Sequence, residues 1–286
     1  MAGVSSMSLR KKNFFKALVN RELCERLPKI KLSSIAKVGL LSMPLLAVPS
    51  LSSAIGPLND TGITFCGEAD SGNNSPCTGS EPFGQDAHYG RDAAAAAGTL
   101  TKIGSGHGGF DFTALDVTGQ PTTPGTAENP HSCVRDNVTG LIWEVKVNDP
   151  NHLRHLGHSY TWYDTHSPDG NAGALGSDNC NGTLAAYSNQ CNTEHYVAAV
   201  NAAGLCSYTD WRMPTRHELV SIVNFNRVNP AIDTTFFENT LSSVFWSGSP
   251  SAADSSSAWG VNFNNGVANY DGRSFSRHVR LVRGGQ

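Results

Sequence analysis

"SAWGVNFNNGVANYDGRSFSRHVRLVR" spans residues 257–283 and holds the three patterns on which the fold reading turns. Trp259, Val261 and Phe263 alternate with small or polar residues and run into Asn264-Asn265-Gly266. Alternation into an Asn/Gly turn predicts a β-hairpin over Ala258–Tyr270 with those three side chains on its buried side. At the far end, Val279 and Leu281 alternate with Arg280, and Arg283 follows. That predicts a terminal strand with both arginines facing water. Between them, Asn269–Arg277 has no period and contains Gly272, so it is read as a surface loop.

Working backwards, Val244–Ser247 reads as a strand, and the Ser-rich run Ser249–Ser256 as a second loop leading into the hairpin. "MPTRHELVSIVNF" carries Thr215 and Glu218 at capping-box spacing ahead of Leu219, Ile222 and Val223, which predicts a helix. "NTEHYVAAVNAAGL" predicts another, capped at Asn192 or Thr193, with a Val197/Val200 stripe and a stop at Gly204. Residues 166–192 are Gly/Asn-rich and read as a long surface loop. "SYTWYDT" (159–165) is strand-like or a tight turn. "CVRDNVTGLIWEVK" (133–146) predicts two short strands about an Asn-Val-Thr-Gly turn, and Phe110–Val117 a further strand. Two helices followed by a hairpin and a last strand make no βαβ repeat. The expected class is α+β, with small antiparallel sheets and many loops. All five tryptophans (Trp143, Trp162, Trp211, Trp246, Trp259) are assigned to the core.

The 286-residue chain divides by composition. Residues 1–54 hold nine of the 21 Lys/Arg and two of the 24 Asp/Glu, then the short apolar run "GLLSMPLLAV" and small residues. A basic stretch, a short apolar stretch and a small-residue exit predict a secretory signal cleaved near Ala54, with no membrane span left afterwards. Residues 55–130 read as a loop-rich extension and 131–286 as the organised domain. Without residues 1–54, twelve basic and 22 acidic residues remain, a net charge of −10. That sign argues against nucleic acid as a partner. Cys24 falls in the presequence. Cys66, Cys77, Cys133, Cys180, Cys191 and Cys206 remain, an even set that fits disulfides in an oxidising compartment. The count leaves the pairing open. Cys66–Cys77 and Cys180–Cys191 would each staple a local loop, which leaves Cys133 for Cys206. The expected location is periplasm, cell surface or medium.

Catalytic signals are weak. Gly104, Gly106 and Gly109 match G-x-G-x-x-G but lack a strand-then-helix context, and read as a flexible loop. His152, His155 and His158 recur every three residues, without a carboxylate in the run and with Gly157 among them, so no metal is assigned. An acid pair such as Asp210 with Glu218 carries no specific signal. No catalytic residue and no cofactor is assigned.

"VRDNVTGLIWE" (134–144), "YTWYD" (160–164), "DWRMPTRHEL" (210–219), "FWSGSP" (245–250), "AWGVNFNNG" (258–266) and "HVRLVR" (278–283) occur in this order. Together they resemble the C-terminal domain of the Legionella collagen-like adhesin family, the Lcl C-terminal domain. The resemblance covers about residues 130–286. It implies a C-type lectin-like fold, with "CVRDNVTGLIWE" near "HVRLVR", Trp211 packed and Arg212 bonded internally. No collagen-like repeat is present, and neither the Glu-Pro-Asn nor the Trp-Asn-Asp sugar-binding signature occurs. Neither trimerisation by a collagen stalk nor calcium-dependent sugar recognition is therefore implied. The segment from Trp246 onward also resembles the variable segments of proteins targeted by diversity-generating retroelements, in which apolar strand positions stay fixed while Asn, Ser, Asp, Tyr, Gly and Arg vary between them.

The expected function is display of a binding surface for protein or glycan. Its expected residues are Ser249, Ser251, Asp254 and Ser255 from the first loop and Asn264 and Asn265 from the turn. Asn269, Tyr270, Asp271, Arg273, Ser274, Phe275 and Arg277 complete the set. Two alternatives stand beside it: an enzyme on the same fold, like the formylglycine-generating oxidases, and a structural envelope protein. The sequence carries no signal for an oligomeric state.

Overall fold

The computed structural model describes residues 58–68, 72–74 and 76–284. These residues fall in one compact unit running from Ser52 to Gln286. The expected presequence lies outside the described residues. In chain order the strands are β1 (Cys66–Glu68), β2 (Gly72–Asn74), β3 (Phe112–Leu115), β4 (Cys133–Asp136) and β5 (Ile142–Glu144). They continue as β6 (Val244–Pro250), β7 (Ser257–Asn262), β8 (Val267–Gly272), β9 (His278–Val279) and β10 (Val282–Arg283). Three α-helices, α1 (Gly90–Ala96), α2 (Thr193–Ala203) and α3 (Arg216–Val220), complete a loop-rich α+β fold.

The helix boundaries follow from local chemistry. Asn192 caps α2 by accepting the His195 N–H, and Gly204 ends it in the left-handed conformation at φ +64°. Thr215 and Glu218 form a reciprocal capping box at the start of α3. That helix is one turn and a half long. The apolar residues Ile222 and Val223 beyond it are buried in irregular chain rather than in helix.

Two four-stranded sheets have the orders β10-β5-β4-β3 and β8-β7-β6-β9, and β1-β2 form a separate ribbon. All pairs are antiparallel except β6 with β9. Val282 lies opposite Trp143, so the last strand does sit beside "CVRDNVTGLIWE". The extension is part of the same body, because β3 pairs along its whole length with β4.

Period-two alternation sorts side chains into two cores. Trp143, Phe245, Val261, Phe263 and Val282 join Phe112, Leu219, Phe236 and Phe237 in one. Ile142, Trp246, Val279 and Leu281 join Tyr160, Trp162, Tyr196, Val200 and Trp211 in the other. β5, residues Phe245–Ser247 of β6 and the terminal Val279–Val282 are thus buried on both faces. Three disulfides, Cys66–Cys77, Cys133–Cys206 and Cys180–Cys191, brace the loops. The Cys133–Cys206 bridge spans 73 residues, and closing a loop of that size stabilises by about 4 kcal/mol in the chain-entropy account.

Burial on both faces corrects one expectation. The terminal segment is not one strand with its arginines in water. It pairs with β6 through Val279, crosses between the sheets at Arg280–Leu281, and pairs with β5 through Val282. Arg280 is 0 % exposed. Its guanidinium donates to the Glu144 carbonyl and to Thr240 Oγ1, each at 2.6 Å, and lies 5.0 Å from the Phe237 ring. Burial pushes its pKa down to about 10, opposed by the nearby Glu144 carboxylate. That carboxylate is itself buried and accepts from Lys146 Nζ, the Tyr196 hydroxyl and the Leu281 N–H. Burial likewise pushes Lys146 down to about 8, again against Glu144. Each charge in this centre meets both an opposite charge and a hydrogen-bond partner, which offsets the cost of burying it, although Arg280 Nε itself has no partner among the described residues. Arg283 does reach the surface, where it pairs with Asp210 at 2.7 Å.

The glycine-rich loop is packed rather than flexible. A Cβ at Gly104 would come 2.0 Å from the Phe112 carbonyl, and one at Gly109 2.6 Å from the Arg91 side chain. Lys102 Nζ donates to the Gly106 and Gly108 carbonyls, so the loop wraps an ammonium group of the chain itself.

Candidate ligand-binding face

β8 is the edge of its sheet, and its burial pattern is open to solvent over most of its length. Across the β7–β8 hairpin Trp259 pairs with Tyr270, Val261 with Ala268 and Ser257 with Gly272. Val261 and Ala268 stay at the core. Trp259 stands on the same face one step beyond it and is only half-buried, which corrects its assignment to the interior. The other four tryptophans are buried. Tyr270 is 48 % exposed and meets the Trp259 ring edge-on, centroids 5.5 Å apart. Phe275 is 54 % exposed. A Cβ at Gly272 would lie 3.3 Å from its ring, so Phe275 covers Gly272 on the face that carries Tyr270. Arg216, the first residue of α3, lies over the indole with its Cζ 4.4 Å from the ring centroid. The result is a row of Arg216, Trp259, Tyr270 and Phe275 drawn from four segments.

The segment Asn269–Arg277 was expected as a loop. Its first four residues are strand, and beyond Gly272 it folds inward. Arg273 is 2 % exposed and points into the protein. It pairs with Asp169, donates to the Asn171 and Ser257 carbonyls, and lies 4.0 Å from the Trp162 ring centroid. Hydrogen bonds from Ser167 and then Arg273 hold the Asp169 carboxyl down at about 2. Arg273 is therefore an anchor and not a surface group. It lies with Trp162 because the backbone here adds to the 160–162 segment: Trp162 N–H donates to the Arg273 carbonyl, and Tyr160 and Arg277 exchange bonds. Arg277 pairs with Asp271, which fixes the end of the turn. The irregular pattern has this cause. Successive residues face a sheet, the protein interior and solvent in turn, so no single period can describe them.

The remaining expected residues divide. Ser251 is buried, and its hydroxyl accepts the Ala253 N–H, so it shapes its loop from inside. Ser249 Oγ accepts the Arg216 N–H. Asp254 accepts from the Ser256 N–H and the Ser256 and Ser257 hydroxyls, and those bonds lower its pKa. Ser255 and Ser274 are exposed; the Ser255 carbonyl accepts from Asn171. This loop adjoins the 269–277 turn through the Arg273 N–H to Ser256 carbonyl bond. Asn269 is exposed and satisfies the Tyr270 N–H. Asn264 and Asn265 sit at the hairpin turn, five residues along β8 from Tyr270 and so roughly 17 Å away. Asn264 is bonded to Asn229. They belong to a different patch.

Two contributors escaped the sequence reading. Asp169 sits in a Gly/Asn-rich loop where an acid is unremarked, and Arg216 in a capping motif whose middle residues are usually plain solvated charge. No spacing links either to the hairpin.

Among the described residues, four groups bring three candidate metal-ligand atoms within 4.8 Å. Two of them use sulfurs already bound in disulfides: Cys66 and Cys77 with His88, and Cys180 and Cys191 with Asp178. Asp60–Asp86–Asp92 and Asp164–His166–Glu194 are hydrogen-bonded to neighbouring Thr61 and Thr165 and to backbone N–H groups. His152, His155 and His158 lie in turns rather than on a helix face, and His158 Nε2 bonds the Pro150 carbonyl. Asp210 and Glu218 belong to separate ion pairs, with Arg283 and Arg212.

The family model of the Lcl C-terminal domain matches residues 132–283. The chain belongs to that family. The matched Lcl residues contain both four-stranded sheets except β3, both helices α2 and α3, and the whole aromatic row. No curated protein and no solved structure matches the chain. Among the described residues, no helix is long and apolar enough to cross a membrane.

Proposed function

We propose that this Lcl-domain chain is an exported, adhesin-like binding module with a lectin-like fold. It holds a protein or glycan of another surface on the face that carries Trp259, Tyr270 and Phe275, beside the Ser249–Ser256 loop. The observation that carries this reading is the exposed aromatic pair Tyr270 and Phe275, set beside half-buried Trp259 on an anchored frame. Exposed aromatics on rigid backbone are typical anchors of binding hot spots, and the surrounding Asn and Ser supply adaptable hydrogen bonds. Arg273 and Arg277, each locked to an aspartate, make the frame. Replacing Tyr270 and Phe275 together tests the face.

The enzyme reading needs a reactive thiol pair. All six described cysteines are in disulfides, so the binding reading is the one we carry forward. Diversification of the segment is part of the proposal. A reverse-transcriptase gene beside a near-copy of the 3′ coding segment would support it, and an ordinary neighbourhood would count against it.

Export rests on the basic-then-apolar first 54 residues and the paired cysteines. Intact-mass measurement of the protein from its native cell should give an N-terminus near Ile55 and a mass six hydrogens below the reduced chain. A chain that keeps Met1 and free thiols contradicts export.

A further inference from the structure

Several arginines near the face have carboxylate partners: Arg273 with Asp169, Arg277 with Asp271, Arg212 with Glu218. Arg216 has none among the described residues. Its backbone N–H is taken by Ser249, and one guanidinium nitrogen lies 3.3 Å from His217 Nε2. The indole of Trp259 holds the group at 4.4 Å. A guanidinium held over a ring keeps its in-plane N–H edge free and loses little conformational freedom on binding. It stands at one end of an exposed aromatic row whose other members are Tyr270 and Phe275. The chain beyond residue 54 carries ten more acidic than basic residues, so its field opposes polyanions. One preorganised cation beside apolar surface fits a ligand with one isolated carboxylate next to apolar groups.

The edge strand narrows the class further. The Tyr270 and Gly272 N–H groups are already taken by the Asn269 and Asp271 side chains. Strand addition to β8 would have to displace both, so recognition runs through side chains. Phe275 is exposed on this face and offers no polar group. That favours an apolar protein side chain over a sugar hydroxyl.

We propose that Arg216, Trp259 and Tyr270 form a carboxylate-binding subsite for an Asp or Glu side chain of a protein ligand, flanked in that ligand by an apolar residue that packs on Phe275. This rests on the binding face proposed above. A random peptide library displayed on phage is selected against the full chain with its disulfides formed, and a glycan array containing sialylated and sulfated sugars is probed in parallel. The selected peptides should share Asp or Glu next to an aromatic or large aliphatic residue. Arg216→Gln should weaken them roughly 10- to 100-fold, the loss of a charged hydrogen-bonded pair, and Arg216→Lys should restore part of it. Melting curves of both variants show whether the fold is retained; if Arg216→Gln fails to fold, replacing the peptide acid by its amide gives the same reading on the unaltered protein. Peptides that lack an acid and bind Arg216→Gln equally well, yet are lost on replacing Tyr270 and Phe275, would overturn the subsite and leave the face standing. Binding only to glycans, or no peptide selected at all, would overturn the ligand class. Binding indifferent to all these positions would overturn the face as well.

Discussion

Arg280→Ala is expected to destabilise the folded chain by about 3–5 kcal/mol, the usual consequence of removing one member of a buried charged cluster. The residue is fully buried at the point where the chain crosses from one sheet to the other. Its removal leaves the Glu144 carbonyl and Thr240 hydroxyl without their donor and the Glu144 carboxylate with less opposing charge. It also empties the space beside Phe237 and Phe245. Domains are stable by only about 5–15 kcal/mol, so this one change takes up a large share. Arg283→Ala, three residues on, breaks a surface pair with Asp210 and should cost under about 1 kcal/mol. Urea denaturation of the two variants separates them. Equal, small shifts in midpoint would mean that Arg280 is in water and that the terminal segment is a simple strand.

Replacing Tyr270 and Phe275 together by Ser should abolish binding, with a loss of roughly 100-fold or more if both are hot-spot anchors. The melting midpoint should barely move, because exposed side chains usually change stability by under about 1 kcal/mol. Arg273→Ser should do the reverse. It removes a buried anchor from Asp169 and from the face of Trp162, so the midpoint should fall. Any loss of binding should then follow the loss of structure. Affinity for the selected peptides or glycans, measured beside thermal melts, distinguishes these patterns. A Tyr270/Phe275 double variant that unfolds would place both rings in the core.

What the sequence made legible was local. The Asn192 cap, the Thr215–Glu218 box, the hairpin turn and the strand pair around 133–146 are each decided within a few residues, and the structure has them. The two arginine placements were not legible, because they depend on distant partners. Arg280 meets Glu144 136 positions away, and Arg273 meets Asn171 102 positions away. An arginine that alternates with apolar residues, like Arg280, or sits among small ones, like Arg273, is ordinarily solvated, and only a fold that returns a carboxylate or carbonyl to the same point reverses that. Trp259 shows the converse. Its alternation with Val261 predicts burial, but on that face the core ends at Val261, and Arg216 covers the ring instead. The Asn264–Asn265 turn reads as part of the face only while the hairpin length is ignored.

Hydrogen–deuterium exchange of the full chain, with and without a ligand selected from the peptide library or the glycan array, tests the central claim most directly. The account predicts new protection in peptides covering 249–256 and 267–277, together with the segment around Arg216, and little change in β3, β4 and β5. Protection confined to other regions, such as the Pro/Thr loop at 121–130, with the 267–277 segment unchanged, would contradict it.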